Sequence, residues 1–100
     1  MVIEKIISHF MAFVEDDFTE LWVITTKVQE ENPELKFEEL IDVTKEVVQE
    51  LVMKYKVKVL NEDTQESMDL SLNEILKLVQ DKFRTLSKIP NIGDGIWFTI

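Results

Sequence analysis

The chain has 100 residues, a net charge of −9 and a hydrophobic content of 45%, which suits one domain spanning residues 1–100. It contains no cysteine, so disulfide bonds and thiolate zinc sites are excluded. A charge of this sign repels nucleic acid and anionic membranes and attracts basic surfaces. Neither a signal peptide nor a membrane span is evident, so we expect a cytoplasmic protein.

Two amphipathic helices are predicted at the start of the chain. Apolar residues at helical spacing predict the first helix over Val2–Val14. Asp17 and Glu20 then have the spacing of a capping box, which predicts a second helix from about Phe18 to Glu31. Asn32-Pro33 ends this helix, because proline disfavours the helical conformation in the residue before it.

The third helix and the strand after it differ in their hydrophobic period. The helix is predicted from Phe37 to Met53, and its inner face is apolar except at Thr44, which carries a hydroxyl. From Tyr55 to Leu60, apolar residues alternate with Lys56 and Lys58, which indicates a half-buried strand. Lysine on the outer face is typical of an edge strand.

One more helix and one more strand are predicted in the second half of the chain. Asn61–Asp69 is predicted to be a polar loop. Ser71 and Glu74 form a second capping box, which opens a helix that continues to Leu86. Ile96–Ile100 is predicted to be a buried strand that pairs antiparallel with the earlier strand.

The predicted order of elements is three helices, a strand, a helix and a strand. This order predicts a mostly α fold of the α+β class with a winged-helix-like outline. A three-helix cluster is followed by a two-stranded antiparallel ribbon, with the fourth helix between the two strands. In a winged helix, the third helix enters the major groove of DNA and carries basic side chains toward phosphates and bases.

The outer face of the predicted third helix is acidic instead of basic. We call its four acidic residues the acidic stripe: Glu39, Asp42, Glu46 and Glu50. The last three are spaced four residues apart, so they lie one above another on a helix. DNA binding through this helix is therefore not expected.

Two interpretations of the acidic stripe stay open, namely an ordinary solvated helix face and a surface that meets a basic partner. The partner interpretation is favoured by the uneven charge along the chain. Residues 1–53 hold 13 acidic and 4 basic residues, whereas residues 54–100 hold 7 of each. Such a surface can occupy a nuclease cleft by presenting charges where phosphates would lie.

The sequence gives no specific sign of a catalytic centre, because carboxylates are too plentiful in this acidic chain for any pair of them to be distinctive. His9 is the only histidine, and a general base needs an orienting partner and a nucleophile that it can activate. Ser8 is adjacent in sequence, so its side chain points elsewhere on a helix. No catalytic residue, metal ligand or cofactor site is therefore predicted.

Several short motifs resemble those of a loose group of small bacterial proteins, in which a Leu-Trp helix and a Glu-rich helix precede a closing Trp-Phe strand. The matching residues are Leu21-Trp22, Glu38-Glu39-Leu40-Ile41, Val47-Val48 and Ile96-Trp97-Phe98-Thr99. In size, charge and outline the chain also resembles small acidic immunity proteins, including those of contact-dependent growth-inhibition systems. This resemblance implies a protein that binds and blocks one cognate toxin, and it transfers no functional residues.

The first functional hypothesis is a protein-binding inhibitor. In this hypothesis an immunity protein uses the acidic stripe to cover the active site of a cognate basic toxin, such as a nuclease. The alternative is a winged-helix transcriptional regulator or antitoxin domain that binds protein or DNA through another surface. Enzymatic activity and partners such as nucleic acid or membrane are not expected under the first hypothesis, and the oligomeric state stays open.

Overall fold

Four helices and a three-stranded antiparallel sheet are present in a computed structural model that describes residues 3–14, 19–60, 64, 66–87 and 96–99. In chain order the elements are α1 (Ile3–Val14), β1 (Thr19–Glu20), α2 (Leu21–Glu31), α3 (Phe37–Tyr55), β2 (Lys58–Leu60), α4 (Leu72–Leu86) and β3 (Trp97–Thr99). The predicted α+β class is confirmed. So are the cluster of three helices and the antiparallel pairing of β2 with β3 around the intervening α4.

The start of the second helix differs from the prediction. Thr19 and Glu20 form strand β1, and α2 begins only at Leu21, with Glu20 as its N-cap and no side-chain capping bond. Asp17, the predicted cap, lies outside the described residues. The backbone N–H of Leu21 donates to the carbonyl of Ile96, 3.0 Å away. Pairing with β3, far away in the chain, therefore overrides the local helical pattern and adds a third strand to the predicted ribbon.

The third helix is longer than predicted, and the strand after it is shorter. Helix α3 continues to Tyr55, whose side chain is exposed, and ends where Lys56 takes the left-handed conformation with φ 57°. Strand β2 then covers only Lys58–Leu60. The predicted alternation holds for the buried Val57 and Val59, whereas Tyr55 belongs to the helix surface and not to the inner face of the strand.

The sheet has the order β1-β3-β2, so β2 is an edge strand, as predicted. Val59 lies opposite Phe98 of the central strand. On its other side, the Val59 carbonyl accepts a 2.8 Å hydrogen bond from the backbone N–H of Met68, and Leu60 bridges to Ser67. Part of the predicted polar loop therefore folds back and covers backbone groups that an edge strand would otherwise expose.

The core lies between the helices and the inner face of the sheet. Phe10 of α1 and Phe98 of β3 are fully buried and meet edge to face, with ring centroids 5.7 Å apart. Phe83 of α4 is also fully buried and lies 5.9 Å from the ring of Phe37. Thr44 occupies the predicted inner position on α3, and its buried hydroxyl has no hydrogen-bond partner among the described residues.

Helix α4 begins at the predicted capping box and packs along α3. The Ser71 hydroxyl accepts a bond from the Glu74 N–H at 3.2 Å, and the Glu74 carboxylate accepts from the Ser71 N–H at 3.1 Å. The N–H and then the hydroxyl of Ser71 lower the pKa of Glu74. Helix α4 covers one flank of α3, so its polar side chains can reach side chains on that flank of α3.

Candidate functional site

The acidic stripe lies on the outer face of α3. Glu39, Asp42 and Glu46 are exposed, and Glu50 is partly exposed. The opposite face of α3 is buried in the core and consists of Leu40, Ile41, Thr44, Val47, Val48 and Leu51. A helix with one buried face must turn the intervening positions toward solvent, so the stripe follows from the hydrophobic period of α3.

The two end members of the stripe already have local partners. The Glu39 carboxylate accepts a 3.0 Å hydrogen bond from the backbone N–H of Lys36, which satisfies a donor at the helix N-terminus. Glu50 forms a 2.8 Å salt bridge with Lys54, one turn later. The hydrogen bond that Lys54 donates to the Glu50 carboxylate, and then the negative charge of Glu50, raise the pKa of Lys54. These two carboxylates therefore contribute to the structure of α3 itself.

The two central members, Asp42 and Glu46, have no salt bridge or side-chain hydrogen bond to any described residue. Lys45 is the only basic residue in the sequence between them. Its Nζ donates to Oε1 of Gln80 on α4, 2.8 Å away, so the ammonium group points toward α4. Among the described residues, Asp42 and Glu46 are consequently the part of the stripe whose negative charge has no basic partner at close range.

The charge asymmetry of the sequence is only partly kept in the folded protein. Arg84 and Lys54 both come from the electrically neutral second half of the chain, yet they pair with acidic residues of the first half. Arg84 lies 3.5 Å from Glu38, and Lys54 lies 2.8 Å from Glu50. The acidic surface that remains open to a partner is therefore narrower than the charge count along the chain indicates.

The acidic pair at the end of α2 also has basic partners. Lys27 lies 3.8 Å from Glu30 and 3.3 Å from Glu31, and Lys5 of α1 lies 3.2 Å from Glu31. Hydrogen bonds from Lys5 and then Lys27 lower the pKa of Glu31. This pair therefore ties the ends of two helices together and adds little to the acidic surface of α3.

We expect the replacement Glu31→Gln to lower stability at pH 7 and to have no effect in acid. The hydrogen bonds from Lys5 and then Lys27 hold the folded-state pKa of Glu31 below its ordinary value, so folding favours the ionised carboxylate. The carboxylate therefore stabilises the fold above roughly pH 5, and this contribution disappears as the pH falls through the lowered pKa. Urea denaturation at several pH values between 7 and 3 measures the difference in free energy of unfolding between the unmodified protein and the Glu31→Gln variant. A difference that stays constant down to pH 3 would exclude a role of the ionised form.

An exposed apolar side chain extends the stripe toward the C-terminus of α3. Met53 is 63% exposed and lies seven residues after Glu46, on the same face of the helix. Nε2 of Gln49 lies 3.8 Å from the Met53 sulfur. Methionine is enriched at protein interfaces, where apolar anchors are surrounded by polar residues. The sequence prediction placed Met53 at the helix end and overlooked it, although the spacing from Glu46 was a usable signal.

His9, Trp22 and Trp97 are all partly buried in the described structure. The ring of His9 is partly buried and packs against Phe13, with centroids 5.2 Å apart. Within the described ranges, no three residues among histidine, aspartate and glutamate are grouped closely enough to hold a metal ion. Trp22 and Trp97 are both partly buried, and Trp97 belongs to the central strand.

The helices in the described part of the chain are each too short or too polar to cross a membrane. Comparisons with protein-family models, curated proteins and solved structures found no match.

Proposed function

We propose that this protein is a stoichiometric inhibitor of the immunity type, which neutralises a basic toxin by covering its active site with α3. The supporting observation is the exposed pair Asp42 and Glu46, whose charges have no close basic partner in the described structure. Met53 provides an exposed apolar contact on the same face. The proposal places the protein in the cytoplasm and involves no cofactor and no catalytic step.

The proposed inhibition follows from electrostatics and packing. Many proteins that act on nucleic acid have a cationic cleft that binds phosphate oxygens. The carboxylates of Asp42 and Glu46, one helical turn apart, would occupy such a cleft as a rigid pair of anions. Complementary charge accelerates encounter, and burial of Met53 would slow dissociation. Because α3 is held by the core and by α4, little ordering is needed on binding.

A charge reversal at the two central positions tests this proposal. We expect Asp42→Lys/Glu46→Lys to weaken binding of the cognate toxin by about 100-fold or more in low salt, mainly through a slower association rate. The toxin for this measurement is the product of an adjacent toxin-like gene, or the protein recovered by pull-down from the native host. Surface plasmon resonance at 50 and 300 mM salt separates the association and dissociation rates.

A matched control separates the effect of the acidic stripe on toxin binding from the effect of net charge alone. The variant Glu66→Lys/Asp81→Lys changes the net charge by the same amount at two exposed positions outside α3. We expect it to retain toxin affinity within about threefold, because charges far from the interface are screened over roughly 10 Å. The role of the stripe would be rejected if both variants lost toxin affinity equally, or if Asp42→Lys/Glu46→Lys lost none. Circular dichroism confirms that both variants are folded.

The alternative is a winged-helix regulator or antitoxin domain, and one observation favours it. Lys56 and Lys58 are exposed where the chain passes from α3 into the ribbon. These two lysines provide a basic surface that is not part of the acidic stripe. A gel-shift assay against genomic fragments separates the two functions, because the inhibitor proposal predicts no shift.

A further inference from the structure

The thioether sulfur of Met53 is open to reagents in solution. Its side chain is 63% exposed near the C-terminus of α3. Met11 and Met68, the other methionines in the described part of the chain, are partly buried and pack against the core. Oxidation of methionine to its sulfoxide requires that the oxidant reach the sulfur. A dilute oxidant should therefore react with Met53 before it reacts with Met11 or Met68.

Met53 lies in one row with the two central members of the acidic stripe. It follows Asp42 by eleven residues and Glu46 by seven, which is about three and two helical turns. Nε2 of Gln49, one turn before Met53, lies 3.8 Å from its sulfur. The buried face of α3 is on the opposite side of the helix. A chemical change at Met53 would therefore alter the outer surface of α3 without disturbing its packing.

We propose that Met53 is a redox-sensitive site, whose oxidation to methionine sulfoxide by hydrogen peroxide weakens the contact between α3 and its partner. One peroxide oxygen is transferred to the thioether sulfur, the O–O bond breaks, and the second oxygen leaves as water. The sulfur loses two electrons, which reduce the peroxide. Hydrogen peroxide is uncharged, so the acidic surface of α3 does not repel it. The partner is the basic toxin of the proposed function, on which this inference rests.

Oxidation would replace an apolar contact by a polar one. The sulfoxide oxygen accepts hydrogen bonds, so its burial in an interface costs free energy of desolvation. The amide of Gln49 is close enough to donate to that oxygen, which would keep it on the outer face of α3. Asp42 and Glu46 keep their charges, so encounter with a basic partner should be nearly as fast, while the complex dissociates sooner. Sulfoxide reductases reverse the modification.

Peroxide treatment of the complete chain, followed by mass mapping of its peptides, tests the site. We expect Met53 to be oxidised at least about fivefold faster than Met11 and Met68, because its sulfur is the most accessible of the three. Circular dichroism should show that the oxidised protein is still folded. Oxidation of Met11 or Met68 as fast as Met53 would overturn the inference, and this result needs no partner protein.

Surface plasmon resonance with the toxin tests the effect on binding. We expect the oxidised protein to dissociate at least about tenfold faster, with an association rate within about threefold of that of the reduced protein. Met53→Leu is the matched control, because leucine is apolar and of similar volume but has no sulfur. Peroxide should leave the binding of this variant unchanged. Treatment of the oxidised protein with methionine sulfoxide reductases should restore the slower dissociation.

The outcomes separate this inference from the proposed function. If the reduced protein binds no toxin, the proposed function fails and the inference fails with it. If the reduced protein binds and oxidation leaves its dissociation rate unchanged, only the inference is overturned. An equal effect of peroxide on Met53→Leu would also overturn the inference, because the sensitive group would then lie elsewhere.

Discussion

Replacement of Phe98 by alanine is expected to lower the free energy of unfolding by about 3–5 kcal/mol. Phe98 is 1% exposed and belongs to the central strand β3. It lies opposite Thr19 on one side and Val59 on the other, and its ring meets that of Phe10. The substitution would therefore leave a cavity where the sheet and α1 meet, and the surrounding backbone can close it only partly.

The expected loss is a large fraction of the total free energy of unfolding, since this is about 5–15 kcal/mol for domains of this size. Urea denaturation followed by circular dichroism measures it. Phe13→Ala is the matched control, because it removes the same atoms from a side chain that is 50% exposed. We expect Phe13→Ala to lower the free energy of unfolding by less than half as much as Phe98→Ala. Similar losses in the two variants would contradict the placement of Phe98 at the centre of the core.

The replacement Thr44→Val is expected to act in the opposite direction and to raise the free energy of unfolding by about 1 kcal/mol. The Thr44 side chain is fully buried in α3, and its hydroxyl has no partner within the described structure. An unsatisfied buried hydroxyl costs about 1–3 kcal/mol in desolvation. Valine has nearly the same shape, so it removes this cost without creating a cavity. The expected increase in Tm is roughly 4–8 °C for each 1 kcal/mol.

Thr25 provides the matched control for Thr44. It is also fully buried in a helix, but its Oγ1 donates a 3.0 Å hydrogen bond to the carbonyl of Trp22. Thr25→Val therefore removes a bonded hydroxyl, and we expect it to lower the free energy of unfolding by about 1 kcal/mol. Thermal and urea denaturation should show a higher free energy of unfolding for Thr44→Val and a lower one for Thr25→Val. If Thr44→Val were as destabilising as Thr25→Val, the Thr44 hydroxyl must bind a partner such as a buried water molecule.

Periodicity and capping allowed most of the helical structure to be predicted. Helices α1, α3 and α4 lie where their apolar residues recur at helical spacing. The Ser71–Glu74 capping box was also recognisable, because both partners lie within one turn. These features depend on residues close in the chain, so the sequence contains their full physical cause.

Strand β1 could not be predicted in this way. Thr19 and Glu20 continue a helical pattern, and their extended conformation comes from pairing with Phe98 and Trp97. That partner strand lies far along the chain, and a two-residue strand leaves no alternation to detect. Similarly, the end of α3 depends on the left-handed conformation of Lys56, a residue type that rarely signals such a stop.

The acidic stripe, too, could be predicted from the sequence only in part. Helical spacing alone predicts which face of α3 is buried, and therefore that Glu39, Asp42, Glu46 and Glu50 share the outer side. The local pair of Glu50 and Lys54 could also be expected from their spacing, whereas the contacts of Lys45 with Gln80 and of Glu38 with Arg84 depend on the packing of α4 on α3. Helical periodicity is a local property, whereas the pairing of charges on different elements exists only once those elements have packed together.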